Sequence, residues 1–158
     1  MKRIKVKCGE ATLIAPYWLE NLWPSDFPAA RWPTFCGAGD GWGDKIVPDW
    51  ISGVCISPAC FLHDVGWATT KDSIDAFFTE NWYFALNIRA LILSSKIKWW
   101  EKELAVLRAW SLYFVAVSTV GAFAFDPLSE DWANPLNNPI VKDRLKRLSL
   151  ARILYEPC

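Results

Sequence analysis

Apolar positions change their spacing near residue 56, and that change divides the chain. Residues 1–50 carry prolines at 16, 24, 28, 33 and 48 and glycines at 37, 39, 41 and 43. Such punctuation breaks any long period, so this part reads as loops with at most a short helix or strand. Beyond it, "SPACFLHDVGWA" has the marks of a helix, with Ser57 as cap and Pro58 at the first position. "TKDSIDAFFTENWYFALNIRALILSS" follows as a second helix. Thr70 is its expected cap, and Asp72 stands in the first turn, where a negative charge meets the positive helix end. A third helix is expected from Lys96 to Phe125, ending before Pro127, which cannot continue it. Asn138 and Pro139 signal another start, so "PIVKDRLKRLSLARIL" reads as a terminal helix.

The class is therefore mostly α, in a single domain of 158 residues. Residues 1–55 form a loop-rich segment, 56–126 a helical core and 127–158 a C-terminal extension. Composition sharpens this picture in three ways. Apolar residues make up 53 % and charged residues 22 %, a globular balance. Net charge is zero, which argues against nucleic acid as a partner. Eleven tryptophans fill a core or sit where one end is apolar and the other wet, a membrane surface included.

The basic start "MKRIKVK" is not followed by an apolar core of signal-peptide length, so Sec-type secretion is not expected. Ala109 to Phe125 is the longest uncharged run, at 17 residues; its serines, threonine and glycine favour a buried helix over a membrane span. The chain is accordingly not expected to be an integral membrane protein. The terminal helix sets Lys142, Arg144, Lys146, Arg147 and Arg152 against Asp143 alone. A basic amphipathic helix of this kind suits an anionic membrane, and equally the solvated face of a packed helix.

Candidate chemistry gathers around the single histidine, His63, with Asp64 directly behind it. Three readings stand open for it: catalytic base, metal ligand, or packed side chain. If the chain reverses at Ala68–Thr70, the two helices run antiparallel about Thr69. His63 and Asp75 then lie level, and the carboxylate can fix the imidazole tautomer and stabilise its protonated form. Upstream, the glycines of "FCGAGDGWGD" let the backbone fold tightly and gather carbonyl oxygens. Carbonyls with one carboxylate suit calcium, and Asp64 is free to supply the carboxylate. A plain turn accounts for the same glycines. A zinc site built from Cys36, Cys55, Cys60 and His63 is the other metal reading.

"FCGAG" followed by "CFLHDVGW" resembles secreted phospholipase A2. The likeness is closer to the prokaryotic and phage-borne members, in which "CG-G", a Pro-Asp connector, "ACxxHD" and a later "D-x-x-F" occur in that order. Here these are Cys36, Gly37 and Gly39, then Pro48–Asp49, "ACFLHD", and Asp75 with Phe78. The resemblance covers roughly residues 34–85. It implies an antiparallel helix pair carrying the site and calcium-dependent hydrolysis of the sn-2 ester of glycerophospholipids, with a bilayer surface as substrate. His63 would be the base and Asp75 its orienting partner. Calcium would be held by the Asp64 carboxylate and the carbonyls of Phe35, Gly37 and Gly39, with the Gly37 N–H facing the oxyanion. Cys36 and Cys60 stand where the family forms a disulfide.

The chain departs from the family in three places. Trp67 replaces a tyrosine whose hydroxyl bonds the aspartate, and its indole N–H is the available substitute. No hairpin-length insert separates the two helices, and the stretch from Phe35 to His63 is long. A catalytically inactive module that binds lipid or protein is the rival reading. Without a secretion signal, an enzyme of this kind would stay latent in low cytosolic calcium until released or carried in a virion to act on membranes.

Overall fold

The computed structural model describes residues 2–36, 48–70, 73–119 and 135–155. Strands β1 (Arg3–Cys8) and β2 (Ala11–Pro16) pair antiparallel, with Val6 opposite Leu13 and Cys8 opposite Ala11. Loops with at most a short helix or strand are expected over residues 1–50, and this part holds two six-residue strands instead. Val6 and Cys8 alternate with Lys5 and Lys7, the period of a half-buried strand. Gly9, at φ 57°, supplies the left-handed turn that joins the strands.

A second, two-residue pairing joins β3 (Trp50–Ile51) to β4 (Val54–Cys55) through Ser52 and Gly53. It leads directly into α1 (Ser57–Ala68). Ser57 is not the cap: it is the first helical residue, and its hydroxyl donates to the Asp49 carboxylate. Helix α2 runs Ile74–Ser94. Its cap is Ser73 rather than Thr70, the hydroxyl accepting the Ala76 N–H at 3.1 Å. Asp72, the expected first-turn acid, lies outside the described residues, and Asp75 holds that first-turn position instead.

Helix α3 (Trp99–Arg108) passes into wider π-type turns over Ala109–Phe114 and then into α4 (Val115–Thr119). The single helix expected over residues 96–125 thus starts three residues later and changes its winding part-way; residues 120–125 lie outside the described set. Helix α5 covers Pro139–Tyr155, and its start was legible. Asn138 Oδ1 accepts from the N–H groups of Ile140 (2.9 Å) and Val141 (3.3 Å), while Nδ2 donates to the Ala68 carbonyl at 2.9 Å. One side chain therefore caps α5 and ties it to the end of α1.

The protein is mostly helical, and its core lies between the first hairpin, α1 and α2, where Leu13, Phe61, Val65, Ile88 and Ile92 are buried. Two polar contacts set this packing. Asn87 of α2 accepts the Ile14 N–H at 2.7 Å and donates to the Ile14 carbonyl at 2.9 Å, so an amide side chain completes the free edge of β2. Arg3 pairs with buried Glu80, and burial draws the Arg3 guanidinium down to about 10, still charged at neutral pH. Gly66 lets α1 approach this pair: a Cβ there would collide with Glu80 Oε2. Among the described residues no helix is long and apolar enough to cross a membrane.

Replacing Asn87 by alanine strands the N–H and the carbonyl of half-buried Ile14. We expect a loss of about 2–6 kcal/mol, at roughly 1–3 kcal/mol for each unpaired group. Urea unfolding followed by tryptophan fluorescence reads it directly.

Candidate functional site

His63 sits in the middle of α1, buried between Trp67 and Phe84, whose rings lie 4.2 and 4.6 Å from the imidazole centroid. Its Nε2 lies 3.0 Å from Asn81 Oδ1, on α2. Trp67 Nε1 donates to the same oxygen at 3.1 Å. The indole N–H can only donate, so it requires the oxygen end of the Asn81 amide to face it. That orientation leaves His63 Nε2 as the second donor, and the proton is therefore on Nε2. Nδ1 carries the lone pair. Asn81 Nδ2 points the other way, donating to Ser118 Oγ at 3.4 Å.

This geometry corrects the expected dyad. Asp75 is exposed in the first turn of α2, and the group bonded to the imidazole is Asn81. The reversal continues past Thr70 to Ser73, so the sequence midpoint of the facing pair moves from position 69 to position 72. Each step along one helix is matched on the other, and the partner moves by six residues. A signal for Asn81 was present. It falls on the stripe of Phe77, Phe84 and Ile88, an amide among apolar residues at helical spacing.

Asp64 is the charged neighbour of His63. Its Oδ1 lies 3.7 Å from His63 Nδ1. Its Oδ2 accepts from Arg144 of α5 through Nε at 2.9 Å and Nη2 at 2.8 Å. Both side chains are largely shielded, Asp64 at 23 % and Arg144 at 14 % exposure. Arg144 and Arg147 also flank Phe35, with guanidinium carbons 5.5 and 5.2 Å from the ring centre, and Arg147 donates to the Thr34 carbonyl. Part of the basic face of the terminal helix is thus turned onto the site rather than outward.

The approach to the glycine-rich segment is held from three sides. Cys36 and Cys60 form a disulfide, joining the segment to α1 one turn before Asp64. Asp49 Oδ1 accepts the N–H groups of Phe35 (3.1 Å) and Cys36 (3.2 Å) as well as the Ser57 hydroxyl. Trp23, Trp32, Phe35 and Phe61 pack as an aromatic cluster beneath. Asp49 was read only as part of a connector; its side chain is a backbone clamp. Tyr113 donates to the Pro48 carbonyl at 3.0 Å, and burial, with Asp49 nearby, pushes its hydroxyl up to about 12.

The zinc reading is overturned. Two of its thiols are consumed in the Cys36–Cys60 disulfide, and the His63 Nε2 is bonded to an amide. Cys8 and Cys55 remain buried thiols, Cys8 pushed up to about 12 by burial with Cys55 adding to it. The candidate calcium ligands divide. Gly37 and Gly39 lie outside the described residues, whereas Phe35 and Asp64 meet at the same arginine. Among the described residues no three of His, Cys, Asp and Glu cluster as a metal cage. Calcium needs no such cage when carbonyl oxygens supplement one carboxylate. Of the proposed ligands, the described residues supply one carboxylate, Asp64, whose Oδ2 is held by the Arg144 guanidinium.

No protein-family model, curated protein or solved structure matches this chain. The functional reading therefore stands on the residues themselves.

Replacing Asn81 by alanine removes the acceptor of two buried N–H groups. A stability loss of about 2–6 kcal/mol is expected by the same reasoning as for Asn87. In addition, the fixed tautomer should disappear, visible as a changed His63 ring-nitrogen pattern in ¹⁵N NMR. An unchanged pattern would contradict the assignment.

Proposed function

We propose that this protein is a phospholipase A2-like hydrolase, cleaving the sn-2 acyl ester of glycerophospholipids at a bilayer surface, with calcium as cofactor. The observation that carries the reading is the Trp67–Asn81–His63 chain, which leaves Nδ1 as a basic nitrogen beside Asp64. In this scheme His63 Nδ1 takes the proton of a water as its oxygen attacks the ester carbonyl. The imidazolium keeps its Nε2–H on Asn81, and the Asp64 carboxylate, 3.7 Å from Nδ1, offsets the new charge. The proton then passes to the departing lysophospholipid oxygen, which restores the neutral ring. Calcium bound by Asp64 and the carbonyls of Phe35, Gly37 and Gly39 would supply a Lewis acid for the ester oxygen. The Gly37 N–H is proposed as a further donor to that oxygen.

Asn81 is neutral, so it orients the imidazole without the charge stabilisation a carboxylate provides. That observation favours a second reading, a phospholipase-like module that binds lipid without turnover.

Fatty-acid release from mixed phospholipid vesicles, in millimolar calcium and then in chelator, separates the two. The hydrolase reading expects release that stops on chelation and falls by roughly 10²–10⁴ in His63→Gln, the usual span for losing a general base. Asn81→Asp should raise the rate, because a carboxylate at the same place stabilises the imidazolium. Vesicle binding with no release from the unaltered protein would favour the module.

A further inference from the structure

We infer that helix α3 docks this protein on an anionic lipid bilayer, laying Trp99, Trp100, Leu104 and Leu107 into the headgroup boundary with Lys96, Lys98 and Arg108 at their edge. The inference rests on the reading of a bilayer as the partner. It holds for hydrolase and lipid-binding module alike, because docking needs no turnover. Three features of α3 support it.

First, the helix is packed by its small side chains and shows its large ones. Ala105 and, one turn on, Ala109 are buried and mark the inward direction. At about 100° per residue, Trp100 and Leu107 point almost directly away from them, with Leu104 beside. Trp99, Trp100, Leu104 and Leu107 are 73, 46, 56 and 65 % exposed. A helix that only covers a core has the reverse arrangement. The inner side is fastened: Lys102 Nζ donates to the Leu93 carbonyl at 2.7 Å, and Trp110, just beyond α3, packs on Trp82 of α2 with ring centres 5.2 Å apart.

Second, the charges beside this face match an anionic surface. Between residues 96 and 108 the exposed charged residues are Lys96, Lys98 and Arg108 against Glu103 alone, in a chain of zero net charge. Glu101 is turned to the helix start, where it accepts the Lys98 N–H at 3.1 Å. Lys98 Nζ lies 5.1 Å from the centre of the Trp100 ring. An ammonium on an apolar stem beside an indole suits the headgroup level, where apolar and wet layers meet.

Third, the face is small. A ten-residue helix is about 15 Å long and about 10–12 Å across, a few hundred Å² at most. A stable dimer buries roughly 800 Å² on each partner, so a second copy is the poorer occupant. Binding to a bilayer has no such minimum, since apolar burial and attraction to anionic lipid add together. Helix α5 is the weaker candidate for this role. Its Arg144 and Arg147 are turned onto Asp64 and the Thr34 carbonyl, and it carries no tryptophan.

The test is co-sedimentation of the full chain with phosphatidylcholine vesicles, with and without phosphatidylglycerol. Chelator is present throughout, so neither calcium nor hydrolysis contributes. The unaltered protein is expected to bind the vesicles containing phosphatidylglycerol more tightly. Replacing Trp99 and Trp100 together by alanine should weaken binding by about tenfold or more, and so should Leu104→Gln with Leu107→Gln. Lys96→Gln and Lys98→Gln should each cost about fivefold on the anionic vesicles and nothing on phosphatidylcholine alone. Leu150→Gln with Ile153→Gln, on α5, should leave binding within about twofold. All these side chains are exposed, and thermal melts confirm folding. No vesicle binding by the unaltered protein, unchanged binding after loss of both tryptophans, or a loss confined to the α5 variant would each overturn the inference. So would a dimer, seen by sedimentation velocity without lipid, that dissociates when the two tryptophans are replaced; the face would then belong to a second copy. The hydrolase reading fails separately. Docking that is lost in the α3 variants stands even if no protein releases fatty acid, whereas release with docking indifferent to α3 removes only the docking face.

Discussion

A single amide oxygen, Asn81 Oδ1, accepts two N–H donors from helix α1, and the arrangement of the site follows from that oxygen. Trp67 and His63 are one helical turn apart, so both can reach the same point on α2 only if the helices lie close. Close approach is provided at Gly66, which passes the Arg3–Glu80 pair without a side chain in the way. A buried acceptor shared by two donors also removes freedom from the imidazole. The ring cannot exchange tautomers without leaving an indole or imidazole N–H unpaired, so its basic nitrogen stays on the side of Asp64.

Charge is then distributed around a small volume by three different elements. Asp64 comes from α1, Arg144 from α5 and the aromatic face of Phe35 from the segment before the glycines. That segment is tethered by the Cys36–Cys60 disulfide and by the Asp49 carboxylate, which takes over the backbone donors of Phe35 and Cys36. These tethers have a common logic. Each spends a strong interaction on a backbone position that has no regular secondary structure to hold it. The asparagines do the same work elsewhere, Asn87 completing the edge of β2 and Asn138 joining the start of α5 to the end of α1.

The helices were legible because helix signals are local. Pro58 near the start of α1, the Asn138–Pro139 start and the turn of composition near residue 56 all act within a few residues of where they stand. The first hairpin was legible in principle from the alternation over residues 4–8, but the proline and glycine punctuation that follows masked it. The Cys36–Cys60 pairing was implied by the resemblance, and Trp67 was legible as an available N–H donor.

Which residue of α2 meets His63 could not, because register depends on where the connecting turn ends. Thr70 and Ser73 are both acceptable caps by composition, and choosing between them moves the partner from Asp75 to Asn81. Nor could the sequence show that Arg144, eighty positions beyond Asp64, would close on it, since nothing local to either residue encodes the other. By itself the sequence determined the helical class and the residue types available at the candidate site. Tertiary packing alone decided the partners, because hydrogen-bond and charge pairing across helices is set by the spacing and register of whole elements.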